Sequence, residues 1–154
     1  MDFYNVWLKN EYSENEIVNI TARVLGIDMG KIFILAWENT EDILNRPKNS
    51  QVLIFYDIVP GEFNTFIDLR AESPLSDEDM CKAFAVITKA ETVGEMGNEF
   101  QDPWMYTIYN EKGAVKNVDI DYEVFNYQGI KIKRDFPLDK EEFRKAYLKM
   151  QKGS

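Results

Sequence analysis

Residues 104–133 read WMYTIYNEKGAVKNVDIDYEVFNYQGIKIK. Two stretches of alternating apolar and polar residues are each closed by Asn-x-x-Gly, first from Asn110 to Gly113 and again from Asn126 to Gly129. Asparagine opening a type I turn, with glycine in the left-handed position that follows, is the pattern of a hairpin with a glycine bulge. The spacing predicts a meander of three strands. In the first hairpin it sets Tyr106 opposite Val118 and Trp104 opposite Ile120, apolar against apolar. In the second it sets Val124 opposite Ile132 and Glu123 opposite Lys133, with Lys131 on the diagonal, so that acid meets base.

The middle strand carries the chemistry. In VDIDYEV, Val118, Ile120, Tyr122 and Val124 alternate with Asp119, Asp121 and Glu123, which lines three carboxylates along one face. A metal site is disfavoured, because carboxylates on one strand face stand ~6.8 Å apart while a shared cation needs its oxygens within ~2.3–2.6 Å. A calcium loop would need glycine where Val124 stands and glutamate where Ile130 stands. A catalytic pair fits little better, since lysines across the hairpin would keep Asp121 and Glu123 ionised and a general acid at neutral pH needs a raised pKa. Two readings remain, a solvated strand face and a face that docks a partner. Met105, Thr107 and Tyr109 share the phase of the acids, and methionine and aromatics are enriched in interface cores. The candidate partner-binding residues are therefore Asp119, Asp121, Glu123, Met105 and Tyr109.

Outward from the meander, the chain reads as alternating strands and helices. DFYNVWL predicts a first strand, and Ser13 and Glu16 have capping-box spacing for a helix over about 14–25, which Gly26 ends. KIFILAW predicts a short buried strand, and NTEDILNR one or two helical turns stopped by Pro47. QVLIFYDIV is nearly continuous in apolar residues, as expected of a central strand covered on both faces. Pro60-Gly61 supplies a type II turn, and EFNTFIDLR returns as the hairpin partner. Ser76 caps a second helix whose stripe is Met80, Ala83, Phe84 and Ile87, with Cys81 inside it. Residues 92–102 are expected to be a loop. Asp139 and Glu142 repeat the capping-box spacing before a last helix with Phe143, Ala146, Tyr147 and Met150 on its stripe. The expected fold is α+β: a largely antiparallel sheet with a C-terminal meander and about three helices packed against it, in one domain over 1–152, with residues 153–154 an appended tail.

Composition removes whole classes of function. The chain has no histidine and one cysteine, which leaves no structural zinc set and no Ser-His or Cys-His nucleophile. No cofactor motif survives: GIDMGKI has three residues between its glycines, lacks Ser or Thr after Lys31 and leads into a strand. No apolar run approaches the ~20 residues of a membrane span, and a cytoplasmic location is expected. The net charge is −9, unevenly spread. Residues 131–152 hold 8 Lys/Arg against 4 Asp/Glu, so the first 130 hold 10 against 23, a balance of −13. Such a surface repels nucleic acid and anionic membranes and favours a basic partner. The basic tail is read as the solvated face of the last helix, with contact to the acidic remainder or to a second copy as its alternative, so a homodimer stays open.

The acidic first 130 residues, DPWMYTIYNEKGAVKNVDIDYEV and the capped helix SDEDMCKAFAVITKA together resemble bacterial immunity proteins, the small inhibitors encoded with polymorphic or contact-dependent toxins. The resemblance covers the whole chain and lies in size, charge and order of elements. It implies a non-catalytic antitoxin that binds a cognate protein toxin directly. A nuclease toxin must be basic to hold its substrate, so an acidic surface bearing aromatics could occupy its site and be steered there quickly. The alternatives are a small carboxylate-dependent hydrolase and a phage or structural assembly protein.

Overall fold

The computed structural model describes residues 1–96, 104–121, 123 and 129–153. Eight strands form one sheet in the order β2-β3-β4-β1-β5-β6-β7-β8. They are β1 (Asp2–Leu8), β2 (Ile32–Ala36), β3 (Val52–Ile58), β4 (Thr65–Ala71), β5 (Thr92–Glu95), β6 (Met105–Asn110), β7 (Gly113–Ile120) and β8 (Ile132–Phe136). Every neighbouring pair is antiparallel except β2 and β3, which run parallel. Among the described residues the full-length helices are α1 (Glu14–Leu25), α2 (Asp77–Thr88) and α3 (Lys140–Lys152). The fold is α+β.

Local chemistry sets the helix ends. Ser13 accepts from the Glu16 amide while the Glu16 carboxylate accepts from the Ser13 amide, and Gly26 closes α1 in the left-handed conformation. Ser76 and Asp139 each accept from the amide three residues on and start α2 and α3. Trp37–Asn45 forms 3-10 turns after β2, as NTEDILNR suggested. Strand β3 is buried on both faces over Val52 to Phe55, yet it lies one place from the sheet edge. The apolar run reports its two covers, not its place in the order.

Among the described residues, α1, α2 and α3 lie on one face of the sheet, and the face opposite these three is the helix-free face of the described residues. On the helix side Val6, Leu8, Ile54, Ile67 and Leu69 pack on Ile17 of α1 and on Met80 and Phe84 of α2. Further along, Met105 and Phe136 take Phe143 and Tyr147 of α3. The Phe143 ring sits 5.5 Å from Phe136 and 5.9 Å from Tyr147, and each buried ring stabilises by roughly 1.5–3 kcal/mol. The opposite face has a second core, in which Trp7, Phe66, Tyr106, Val118 and Ile120 are covered by Val59, Phe63 and Ile130. Leu35, Leu53 and Phe55 form a smaller cluster there with Phe33 and with Ile43 of the 3-10 turns.

Two expectations are corrected. The expected loop over 92–102 contains β5, paired with β1 and β6 in the middle of the sheet. Gly94 is required there, because a Cβ at that position would meet the Cys81 Sγ at 2.5 Å. The first hairpin has the expected register, Tyr106 opposite Val118 and Met105 opposite Asp119, with a bulge near the turn. The second does not. Strand β7 stops at Ile120, which faces Ile132, and Asp119 faces Arg134. Asp121 turns the chain instead of continuing the strand: its Oδ1 accepts from the Glu123 amide, and Glu123 has helical backbone. Ile130 is then fixed by Gly61 and Phe63, and Glu62 accepts from the Ile132 amide at 2.6 Å. Gly61 has φ +102, as its turn requires, and a Cβ there would collide with the Ile130 backbone. The predicted positions of Tyr122 and Val124, the turn residues Asn126 to Gln128 and the loop residues 97–102 lie outside the described residues.

Candidate functional site

The structure separates the five residues that the sequence grouped on one face. Asp119 is not a wet carboxylate. It points beneath the helices, its side chain is 8% exposed, and its Oδ2 accepts from Arg134 Nη2 at 2.9 Å and Nε at 3.1 Å. Its Oδ1 is buried with no hydrogen bond among the described residues. Met105 is buried under α3, and Tyr109 belongs to the core beneath α2. Burial pushes the Tyr109 hydroxyl pKa up, reinforced by the nearby Cys81 and Glu78, and a hydrogen bond with Thr107 opposes the shift. Asp121 is half-buried and caps a turn, and Glu123 alone is fully exposed. Met105, Tyr109 and Asp119 share the helix-facing phase of the sheet, whereas Asp121 and Glu123 lie beyond the end of β7. The other polar members of that phase, Thr107 and Asn117, satisfy each other: the Thr107 hydroxyl donates to Asn117 Oδ1 at 2.7 Å, and Asn117 Nδ2 donates to the Pro137 carbonyl at 3.2 Å. Strand alternation put Met105, Tyr109 and Asp119 on one face but carried Asp121 and Glu123 with them past the end of β7, and it could not say which side the helices occupy.

A different set of residues comes together on the helix-free face. Strand pairing places Phe55, Asp68 and Asn5 in one row across β3, β4 and β1, and the row runs on to Glu95 of β5 and Tyr106 of β6. The next row holds Leu53, Arg70 and Phe3. Arg70 donates to both oxygens of Asp68, from Nε at 3.3 Å and Nη2 at 3.1 Å. Its guanidinium lies between two rings, 5.0 Å from the centroid of Phe3 and 4.9 Å from that of Phe55. Trp37 continues the stack edge-on, 6.0 Å from Phe55 and 6.1 Å from Phe66. The two ends of this stack reach solvent, Phe3 at 63% exposure and Trp37 at 38%.

Carboxylates border the stack. Exposed Glu95 accepts from Asn5 Nδ2 at 2.9 Å and keeps lone pairs for a further donor. Asp57 follows Phe55 along β3, and Glu38 follows Trp37. Burial raises the Asp57 carboxyl above its usual range, a backbone hydrogen bond at Ile58 opposes this, and the charge of Glu38 adds to it. Burial, aided by Glu95, also raises the Tyr106 hydroxyl. The one cysteine is held inert: burial foremost, then Asp77, Glu95 and Glu78, lift the Cys81 thiol to about 12. Among the described residues, no three Cys, Asp or Glu side chains gather as a metal set would, and no helix is long and apolar enough to cross a membrane.

The chain matches no family model, no curated protein and no solved structure. The chemistry of the surface must therefore speak for itself. Phe3 and Trp37 offer apolar contact area, Arg70 is already neutralised by Asp68, and Glu95, Glu38 and Asp57 are left as acceptors for cationic groups. The sequence held a signal for it in FIDLR, where Asp68 and Arg70 stand two apart in a strand otherwise built of apolar residues, and so share a face.

Proposed function

We propose that this chain is a non-catalytic acidic binding protein, an immunity protein that neutralises a basic, cytoplasm-acting bacterial toxin by direct contact through the helix-free face. The observation that carries the reading is the stack of Phe3, Arg70, Phe55 and Trp37, open to solvent at both ends and bordered by carboxylates, on a chain of net charge −9. Aromatic and arginine side chains held rigidly in place are the usual energetic centre of a protein interface, and the surrounding acids would steer a basic partner towards it. The docking surface is thus moved from the meander to β1, β4 and the turns after β2.

The test is co-expression with the toxin encoded beside the gene. Wild-type chain should restore growth, and a Phe3→Ala, Trp37→Ala double variant should fold but lose at least ~10-fold in affinity, since central aromatic anchors each contribute ~1–2 kcal/mol or more. Full protection by the double variant at wild-type dissociation rate would refute the reading, as would a neighbouring gene that encodes no toxin. The carboxylate-dependent hydrolase reading draws on the raised pKa of Asp57 beside Glu38. It requires ester or glycoside hydrolysis that Asp57→Asn abolishes.

A further inference from the structure

The two edges of the sheet are built on opposite plans. At one edge, β8 carries Lys133, Arg134 and Asp135 in succession, all exposed, with Lys131 just before them. Charged side chains on an edge strand oppose pairing with a further strand. At the other edge, β2 reads IFILA, with no charge and no proline over five residues. Four of its five residues are only partly buried. Among the described residues β2 pairs with β3 alone.

The geometry of β2 states which groups are left over. The Lys31 carbonyl accepts from the Gln51 amide next to β3. Residues of alternate parity in a parallel pair direct their N–H and C=O to the same side, so Phe33 and Leu35 follow Lys31 towards β3. Ile32, Ile34 and Ala36 direct theirs outward. The Ile32 amide is already bound to the Met29 carbonyl. What remains outward is the Ile32 carbonyl, both backbone groups of Ile34 and the Ala36 amide, since the Ala36 carbonyl caps the 3-10 turns that follow. This is the edge of a strand waiting for a strand.

We propose that β2 pairs antiparallel with β2 of a second copy of this chain, about a two-fold axis at Ile34, joining two sheets into one. In that register Ile34 meets its own mate as a hydrogen-bonded pair, and each Ala36 amide donates to the Ile32 carbonyl across the axis. Phe33 lies opposite Leu35 on the helix-free side, apolar against apolar. Charge selects this occupant and direction. Lys31 precedes the strand and Glu38 follows it by two, so an antiparallel copy brings each lysine towards the other copy's glutamate, whereas a parallel copy would bring like charges together. Phe3, Arg70 and Phe55 of the toxin-facing stack lie on a face of the sheet, and Trp37 starts the 3-10 turns that follow β2, so the pairing is read by sedimentation of the chain alone, a result that does not depend on the docking reading.

Sedimentation across roughly micromolar to millimolar concentration tests it. Wild-type chain should reach twice the monomer mass, and Ile34→Lys should remain monomeric at concentrations at least ~10-fold higher, while Lys133→Ala on β8 leaves the association unchanged. A second variant does not depend on tolerating a charge: Ile34→Cys in a Cys81→Ser background should oxidise to a covalent dimer, because Cα atoms of such a pair stand ~5.5 Å apart. Lys133→Cys in the same background should not. Wild-type chain that stays monomeric and an Ile34→Cys chain that fails to crosslink would overturn the proposal. So would a dimer that survives Ile34→Lys, or an Ile34 amide that becomes protected from exchange only when a different protein supplies the strand.

Discussion

The molecule contains two Asp–Arg pairs of the same chemistry set in opposite surroundings. Asp119 and Arg134 bridge β7 and β8 beneath the helices, and Asp68 and Arg70 lie two apart on β4 on the helix-free face. Both carboxylates are nearly buried, at 8% and 12% exposure, and both guanidiniums reach water, at 45% and 32%. The difference is in what completes each pair. Asp68 uses both oxygens and its arginine is held flat between two rings. Asp119 uses one oxygen, leaves the other without a hydrogen bond, and joins two strands whose register is set elsewhere. Burial of the acid is therefore the same in both pairs, and what differs is the satisfaction of its oxygens and the neighbours of its arginine.

The largest effect that could break this comparison is Asp119→Lys. If the meander acid is structural, a second cation beside Arg134 in a buried position should destabilise the fold by about 3–5 kcal/mol, read as a fall in the urea midpoint. An unchanged midpoint would mean that Asp119 is a solvated docking residue after all.

Next in size is removal of each arginine. Arg134→Ala strands a buried carboxylate that already has one unsatisfied oxygen and should cost about 2 kcal/mol, reduced from the figure for a fully buried pair because Arg134 reaches solvent. Arg70→Ala should cost about as much in stability, since Asp68 is nearly as buried as Asp119 and the stacking on Phe3 and Phe55 is lost as well, but it should weaken binding of the proposed toxin more than Arg134→Ala does. Equal effects on binding would erase the distinction between the two pairs.

What could be read in the chain divides along the same line. The caps at Ser13, Gly26, Ser76 and Asp139 and the register of β6 with β7 were legible because each depends on residues within one turn or one hairpin. Strand β5 was not, because TVGE is short, contains a glycine shaped to Cys81, and becomes a strand only between β1 and β6. The β7 to β8 register was misread because Asp121 is as suited to capping a turn as to continuing a strand, and the long-range contacts of Gly61, Glu62 and Ile130 decide between them. The α+β class was legible; the burial of Asp119, Met105 and Tyr109 beneath the helices was not. Alternation put Asp119 with Met105 and Tyr109 correctly, yet nothing local reveals that α2 and α3 close over that side.

The smallest effect concerns pH. Because the folded chain raises the Asp57 carboxyl above its value of 3.8, it binds that proton more tightly than the unfolded chain does. This group's contribution to stability is fully present below that value and is lost as pH rises through the folded pKa. Asp57→Asn should raise the melting temperature by about 1–2 °C at pH 7 and by nothing measurable near pH 3. A gain that persists undiminished in acid would assign the effect to packing and not to charge.

The central claim is the proposal that a toxin partner is met at the helix-free face and not at the meander. Hydroxyl-radical footprinting of the chain, free and bound to its toxin, addresses it with one readout. Phe3 and Trp37, both solvent-exposed in the free chain, should be oxidised readily alone and protected several-fold in the complex, while Leu148 on α3, also exposed, should be oxidised equally in both. Protection at Leu148 with Phe3 and Trp37 unchanged would contradict the account.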